Sequence, residues 1–300
     1  MSICRPDWDG TRADARGYGP DARLQAMKLA LVQQHATRDK AANVQRGLDA
    51  VDRAAALGAQ VIGFAELAFE WFHPQRPAGS DMRSLTETLE GPLVTAFQEK
   101  AKQHGVVLVL NFFERDGLDT YDCSPVIDAN GIVLGMTRMV HITEYACFHE
   151  QGYYTPGDTG VPIYDTKFGR IGVAICYDRH FPEYMRGLAL AGADLVMVPQ
   201  AGTVGEWPNG LYEAEMRVAA LQNGYHVALC NRVGSEDCVD FSGESFVCGP
   251  FGEMIAQAPL GEDHLLVADI DLTANDRSPA RKLFMRHRRP DLYAAWVARS

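Results

Sequence analysis

Cys176 stands at the end of an apolar run, Ile171 to Ile175, inside the segment Gly169 to Glu183, GRIGVAICYDRHFPE. The character then changes to Tyr177, Asp178, Arg179 and His180, and Phe181 and Pro182 open a helical pattern. The run reads as a buried strand ending in a thiol, at the carboxyl end where open α/β sheets bind their ligands. A thiol so placed is a candidate nucleophile; the alternative is a buried cysteine behaving as a small hydrophobe. A thiol attacks as thiolate or with a base beside it. The candidate base is Glu66, which ends a second apolar run, Gln60 to Ala65. A carboxyl there is costly to bury unless paired or protonated, the alternative being a strand-end carboxylate that reaches water. If both strands belong to one sheet, their chemically odd ends could lie side by side.

The elements that must position these residues follow from periodicity. Lys28 to Val32 is a short strand, and Thr37 is the expected cap of a helix carrying Val44, Leu48, Val51 and Ala55 until Gly58 stops it. Glu90 to His104 repeats the helical spacing and feeds an apolar run, Val106 to Phe113. Tyr121 to Ile127 and Ile132 to Val140 flank Asp128-Ala129-Asn130-Gly131, whose Asn-Gly suits a tight hairpin. A second hairpin is expected from Val161 to Ile175 through Phe168-Gly169. Beyond the cysteine come a helix (183–191), a strand (194–199), a helix (211–222), a strand (226–232), a hairpin around Pro250 to Glu253 and a strand (265–270). Helices alternating with strands and antiparallel hairpins imply α/β architecture, a mixed sheet system with helices outside. Residues 1–26 are expected to form an extended or disordered leader.

Composition narrows the function. A 300-residue chain that is 47% hydrophobic and 22% charged suits a soluble globular protein. Its net charge of −11 speaks against a nucleic-acid partner. No apolar run is long enough for a membrane span and the N-terminus lacks a signal-peptide core, so a cytoplasmic location is expected. Seven cysteines without a C-x-x-C pair, and nine histidines without ligand spacing, predict neither a disulfide framework nor a metal site. No cofactor is expected. Arg179 is a candidate clamp for a substrate carboxylate, or else a partner of Asp178 or Glu183. His149 is a candidate contact for a substrate polar group, or else a loop residue. Trp71, Phe72 and Trp207 are candidate pocket aromatics, or packing.

The segment GVAICYDRHFPEYMRGLALAGADLVMVPQA resembles the nucleophile region of the nitrilase (carbon-nitrogen hydrolase) superfamily, and GFAELAF resembles its glutamate strand. Pro156-Gly157-Asp158, Asn231-Arg232-Val233-Gly234 and Gly249-Pro250-Phe251-Gly252 fall in family order, and the similarity spans roughly 27–272. The nearest branches act on N-carbamoyl amines and ω-amides, such as the N-carbamoylputrescine amidases and β-ureidopropionases. The resemblance implies an αββα sandwich, one carbon-nitrogen hydrolase domain at 27–272, a tail at 273–300 packing on a partner subunit, and assembly into a homodimer or larger homo-oligomer. It implies a small-molecule amide or N-carbamoyl substrate attacked by Cys176, with Glu66 as base and then acid. It also implies Glu150 as a second glutamate that orients substrate, and the Tyr177 N–H as part of the oxyanion site.

One position departs from that pattern. The family's Arg-Lys-x-His strand end reads Arg138-Met139-Val140-His141 here, which puts Met139 at the lysine position. A thioether carries no charge and donates no hydrogen bond to an oxyanion. Arg138 is a poor substitute because neighbouring strand residues point to opposite faces. Three outcomes stay open: another donor such as Arg179 or His180, a substrate that brings its own cation, or a weak or inactive relative that binds a small amide or amino acid. A redox-sensing thiol is a further reading, weakened by the lack of a resolving cysteine near in sequence.

Overall fold

A computed structural model describes residues 26–297. The first half runs β1 (Met27–Gln33), α1 (Lys40–Ala56), β2 (Val61–Phe64), α2 (Pro92–His104), β3 (Val107–Val109), β4 (Phe112–Asp116), β5 (Asp119–Ile127) and β6 (Val133–Arg138). The second half runs β7 (Ile163–Thr166), β8 (Gly169–Val173), α3 (Pro182–Ala191), β9 (Leu195–Gln200), α4 (Leu211–Asn223) and β10 (His226–Asn231). It continues with β11 (Val233–Ser235), β12 (Asp240–Ser242), β13 (Phe246–Cys248), β14 (Met254–Gln257) and β15 (His264–Ile270). Short helices α5 (Ala274–Arg277), α6 (Pro279–Lys282) and α7 (Pro290–Val297) close the described chain.

All the strands but β11 and β12, which form a separate two-stranded sheet, belong to two mixed sheets. One has the order β15-β1-β2-β3-β5-β4 with β6 also on β5; the other has the order β14-β13-β10-β9-β8-β7. Their inner faces pack on each other: the Cys230 Sγ–H on β10 lies 3.4 Å from the Val32 carbonyl and 3.6 Å from that of Gly63. The glycine at 63 eases this approach, since a Cβ there would come within 2.1 Å of Met197 Cε and displace that side chain. Helices α1 and α2 cover the first sheet, where Phe64, Phe69 and Phe97 interlock at centroid distances of 4.8 to 5.4 Å. Helices α3 and α4 cover the second, burying Tyr184, Met185, Leu188, Met216 and Ala220 against Val196, Val198, Val227 and Leu229. The result is the expected αββα sandwich.

Several sequence expectations need correction. Asp39, not Thr37, caps α1, its carboxylate accepting from Ala42 N at 3.0 Å. The run at 106–113 is interrupted at Leu110 and Asn111, but its halves β3 and β4 pair with one edge of β5 in a single register, Leu108 with Ile127 and Phe112 with Cys123, while β6 takes the other edge. Glu66 and Cys176 follow β2 and β8, which lie in opposite sheets, so their ends face each other across the sandwich and not along one sheet. The leader at 1–26 lies, except for residue 26, outside the described residues. The start of the 273–300 tail packs on its own chain: Ala280 is fully buried and Arg281 donates to the carbonyls of Gly224 and Ala193. Its end exposes Leu283, Phe284, Leu292 and Trp296.

Candidate active site

Cys176 begins a tight 3-10 turn, Cys176–His180, and adopts a positive φ of 43°. For a residue with a Cβ this is a sparsely populated conformation that its surroundings must enforce. Arg179 does so. Its Nη1 donates to the Cys176 carbonyl at 3.0 Å and to Gln200 Oε1 at 2.7 Å, and its Nε lies 3.3 Å from Glu215. Asp178 anchors the turn to the segment after β6, accepting from the amides of Val140 (3.2 Å) and His141 (3.0 Å) and pairing with His141 Nδ1 at 2.7 Å. The Tyr177 ring packs edge-on against His180 and Phe181, and its N–H follows the thiol in the turn.

Glu66 lies two residues beyond β2 and is fully buried. Arg232 holds its backbone, donating to the carbonyls of Glu66 (2.9 Å), Leu67 and Glu70 (3.0 Å), while Asn111 accepts from Leu67 N at 2.7 Å. The Glu66 carboxyl itself has no donor on either oxygen. It lies in interaction range of the Cys176 thiol and of Asp122, and burial followed by the nearby Glu150 charge pushes its pKa up to about 8. Glu150 opens a 3-10 turn and is also fully buried; Oε2 accepts only a long bond from Thr143 N at 3.4 Å and Oε1 has no partner. Burial and the nearby Asp122 push its pKa well up. The thiol follows the same logic, raised by burial and by Glu66 and Glu150 against a smaller opposing pull from Arg179. The resting pair is therefore a neutral thiol beside a proton-poised carboxyl, the arrangement a general base needs near neutral pH.

Asp122, absent from the sequence reading, belongs to this cluster. It is buried, shares interaction with Glu66, and has one oxygen held by Asn111 Nδ2 at 2.5 Å and the other without a partner. Its place follows from register. Cys123 pairs with Arg138, and Met139 N donates to Asp122 O at 3.0 Å, so Asp122 and Met139 stand opposite each other on one face. Met139 is fully buried there. Arg138 points to the other face, where it makes a buried two-bond pair with Glu114 at 2.7 and 2.9 Å. Opposite faces for neighbours 138 and 139 is what the sequence predicted.

Arg179 requires a correction. With its guanidinium engaged inside the turn and its side chain buried, it supports the nucleophile's backbone and does not project toward a substrate carboxylate. His180 is likewise paired, with Glu215 Oε1 at 2.7 Å. His149 pairs with Glu144 Oε1 at 2.7 Å on the loop before Glu150. Phe72 is core, packed against Phe148 and Phe241, and Trp71 lies under Arg38. Trp207 and Tyr212 line an open cavity of about 410 Å³. Cys176, Glu66 and Glu150 do not line it; Tyr212 connects it to the site through its ring contact with Arg179. A disulfide, which the sequence reading did not expect, joins Cys147 on the Glu150 loop to Cys238 between β11 and β12.

The chain belongs to the carbon-nitrogen hydrolase family, whose pattern matches residues 28–277, and so to the nitrilase superfamily. Among its relatives is an N-carbamoylputrescine amidase of Arabidopsis thaliana, 32% identical over 91% of this chain and 96% of that protein. A citrullinase of Francisella tularensis is 31% identical over 89% of this chain and 96% of the relative. Among solved structures, a carbon-nitrogen hydrolase from Helicobacter pylori G27 superposes with a TM-score of 0.86 at 26% identity, over 91% of this chain and 99% of that one. Among the described residues no helix is long and apolar enough to cross a membrane.

Proposed function

We propose that this protein is a cofactor-free, cysteine-dependent amidohydrolase acting on an N-carbamoyl amine or an ω-amide. The observation that carries the reading is the buried meeting of the Cys176 thiol with the Glu66 carboxyl, at the facing ends of strands from the two sheets. Glu66 takes the thiol proton as sulfur bonds to the carbonyl carbon, then gives it to the departing nitrogen, and later removes a proton from the water that releases the acyl or carbamoyl group. Glu150 orients the substrate, and the Tyr177 N–H contributes to the oxyanion site. The names of the relatives, amidases of carbamoylated amines and a citrullinase, support this substrate class. We place the protein in the cytoplasm as a homodimer or larger homo-oligomer, with the exposed apolar end of the tail, including Leu292 and Trp296, facing the partner.

The test is an ammonia-release screen over amides, nitriles and N-carbamoyl amino acids, with Cys176→Ala as the blank. Mass spectrometry of protein quenched during turnover is expected to show an adduct on Cys176; turnover that survives Cys176→Ala sinks the reading. A second reading is favoured by Met139: a nitrilase-like protein that binds a small amide or amino acid without turning it over. Ammonia release appearing only in Met139→Lys would select that reading.

A further inference from the structure

Four buried polar side chains of the candidate site carry atoms without a hydrogen-bond partner. Both oxygens of Glu66, one each of Asp122 and Glu150, and the Tyr154 hydroxyl are buried without a partner. Glu66, Asp122 and Glu150 each act on at least one of the others, Glu66 and Asp122 within hydrogen-bonding reach of each other, and all three act on the Tyr154 hydroxyl. Among the described residues no lysine, arginine or histidine forms an ion pair with any of them. Arg232 donates to the Glu66 carbonyl and, itself paired with Glu236, exerts only a minor pull on the Glu66 carboxyl; Arg179, paired with Glu215, does the same for Cys176, and Met139, opposite Asp122, supplies no donor. Nor does any group of three described His, Cys, Asp or Glu residues have the arrangement of metal ligands. A buried cluster of carboxyls of this kind is completed by a planar organic cation with N–H donors on both sides.

Resting on the hydrolase reading for its nucleophile and base, we infer that the preferred electrophile is itself cationic, an amidinium or guanidinium carbon held between the carboxyls of Glu66, Asp122 and Glu150. The chemistry explains why such a site does without a protein cation. Attack on a neutral amide places a negative oxygen among three carboxyls, none of them in an ion pair with a described cation, and the nearby Arg232 is already bound to Glu236. Attack on an amidinium removes charge. The S–C bond forms as Glu66 takes the thiol proton, and the adduct, carbon bearing sulfur and two amino groups, is neutral. Glu66 returns the proton to one nitrogen, the C–N bond breaks and ammonia leaves, giving a protonated thioimidate. Water adds to that carbon while Glu66 takes one of its protons. The C–S bond then breaks as the new hydroxyl proton passes to sulfur, yielding the amide and the free thiol. Ammonia carries off the proton left on Glu66, so amidinium and water become amide and ammonium. Asp122 is a positioning residue in this scheme, holding the cation against Glu66.

Matched pairs test it: acetamidinium against acetamide, and butylguanidinium against butylurea, each differing at one =NH2+ for =O. The native protein is expected to favour the cation in at least one pair by about tenfold or more in kcat/KM, the worth of one hydrogen bond to a charged group. Asp122→Asn is expected to shrink that preference with an unchanged thermal midpoint. Where neither member turns over, calorimetry on Cys176→Ala decides: tighter binding of the cation, with proton release that scales with buffer ionisation enthalpy, supports the inference. Parity or reversal in both pairs, in turnover and in binding, overturns it. If other amides or ureas are hydrolysed in that case, the hydrolase reading survives alone; if no C–N compound releases ammonia, the hydrolase reading falls as well.

Discussion

The substitution Met139→Lys bears most directly on how the site handles charge. Met139 is fully buried opposite Asp122, on the face that looks at Glu66. A lysine there would place an ammonium among three carboxyls that form no ion pair with any described cation. At an effective dielectric near 20, a charge about 4 Å from a carboxylate contributes about 4 kcal/mol, or roughly three pKa units. Burying the ammonium costs several kcal/mol of desolvation, so folding stability should change little. Ionisation should change much more: Glu66, pushed up to about 8 in the native protein, should fall to roughly 5 on that arithmetic. Because the base must be ionised to take the thiol proton, the rising limb of kcat/KM for an amide should move to lower pH by about the same three units. The added oxyanion donor should raise the plateau by about two to three orders of magnitude. The assay is ammonia release from amides across neutral and mildly acidic pH, with Cys176→Ala as blank and a thermal melt as control. A folded variant whose limb and plateau both match the native protein refutes the assignment of position 139 to the carboxyl face.

Three further outcomes follow from the same geometry. Glu66 carries a folded pKa near 8, above its ordinary 4.5, so the folded state holds a proton that the unfolded state gives up first. Stability from this group is therefore full below pH 4.5 and declines as pH rises toward 8, by up to about 1.4 kcal/mol per unit; Glu66→Gln should flatten that slope in urea titrations, and an unaltered slope would count against the buried proton. Arg179→Lys should lower kcat by loosening the Cys176 turn while shifting KM equally for substrates with and without a carboxylate; a KM loss confined to carboxylate substrates would restore the clamp. Reduction of Cys147–Cys238, which closes a loop of 91 residues, should cost up to about 4–5 kcal/mol of stability by the chain-entropy account, and thiol titration of the denatured chain should find Cys147 and Cys238 reactive only after reduction.

Much of the fold is legible because it rests on local periodicity. The apolar runs of β1, β2, β9 and β10 and the helical faces of α1 to α4 are continuous in sequence, and burial on both sides of a central strand demands such runs. What periodicity omits is pairing. The run at 106–113 looks like one strand, and β3 and β4 do pair with a single edge of β5 in one register, but nothing in the run marks the break at Leu110 and Asn111 or names β5 as the partner. The two strand ends that carry Glu66 and Cys176 look equivalent in sequence, yet one belongs to each sheet. Nothing in an isolated strand tells which sheet it will join; that depends on contacts such as Gly63 with Met197, 134 residues apart in sequence.

Asp122 shows why the candidate site was only partly visible. Cys176 and Glu66 advertise themselves by ending apolar runs, whereas Asp122 sits inside a strand, where its face depends on hairpin register. The turn at Asp128 to Gly131 ends with Asp128 N bonded to Ile132 O, and regular pairing from there would set Asp122 opposite Arg138. A bulge between Val126 and Ile127, accommodated by Gly135 at a φ of 153°, slips the ladder by one residue. That slip carries Arg138 away to Glu114 and brings Met139 opposite Asp122. A one-residue irregularity thus decides that a thioether stands opposite Asp122 and leaves the Arg138 guanidinium on the far side of the strand, paired with Glu114 and away from the charge that the chemistry creates or removes.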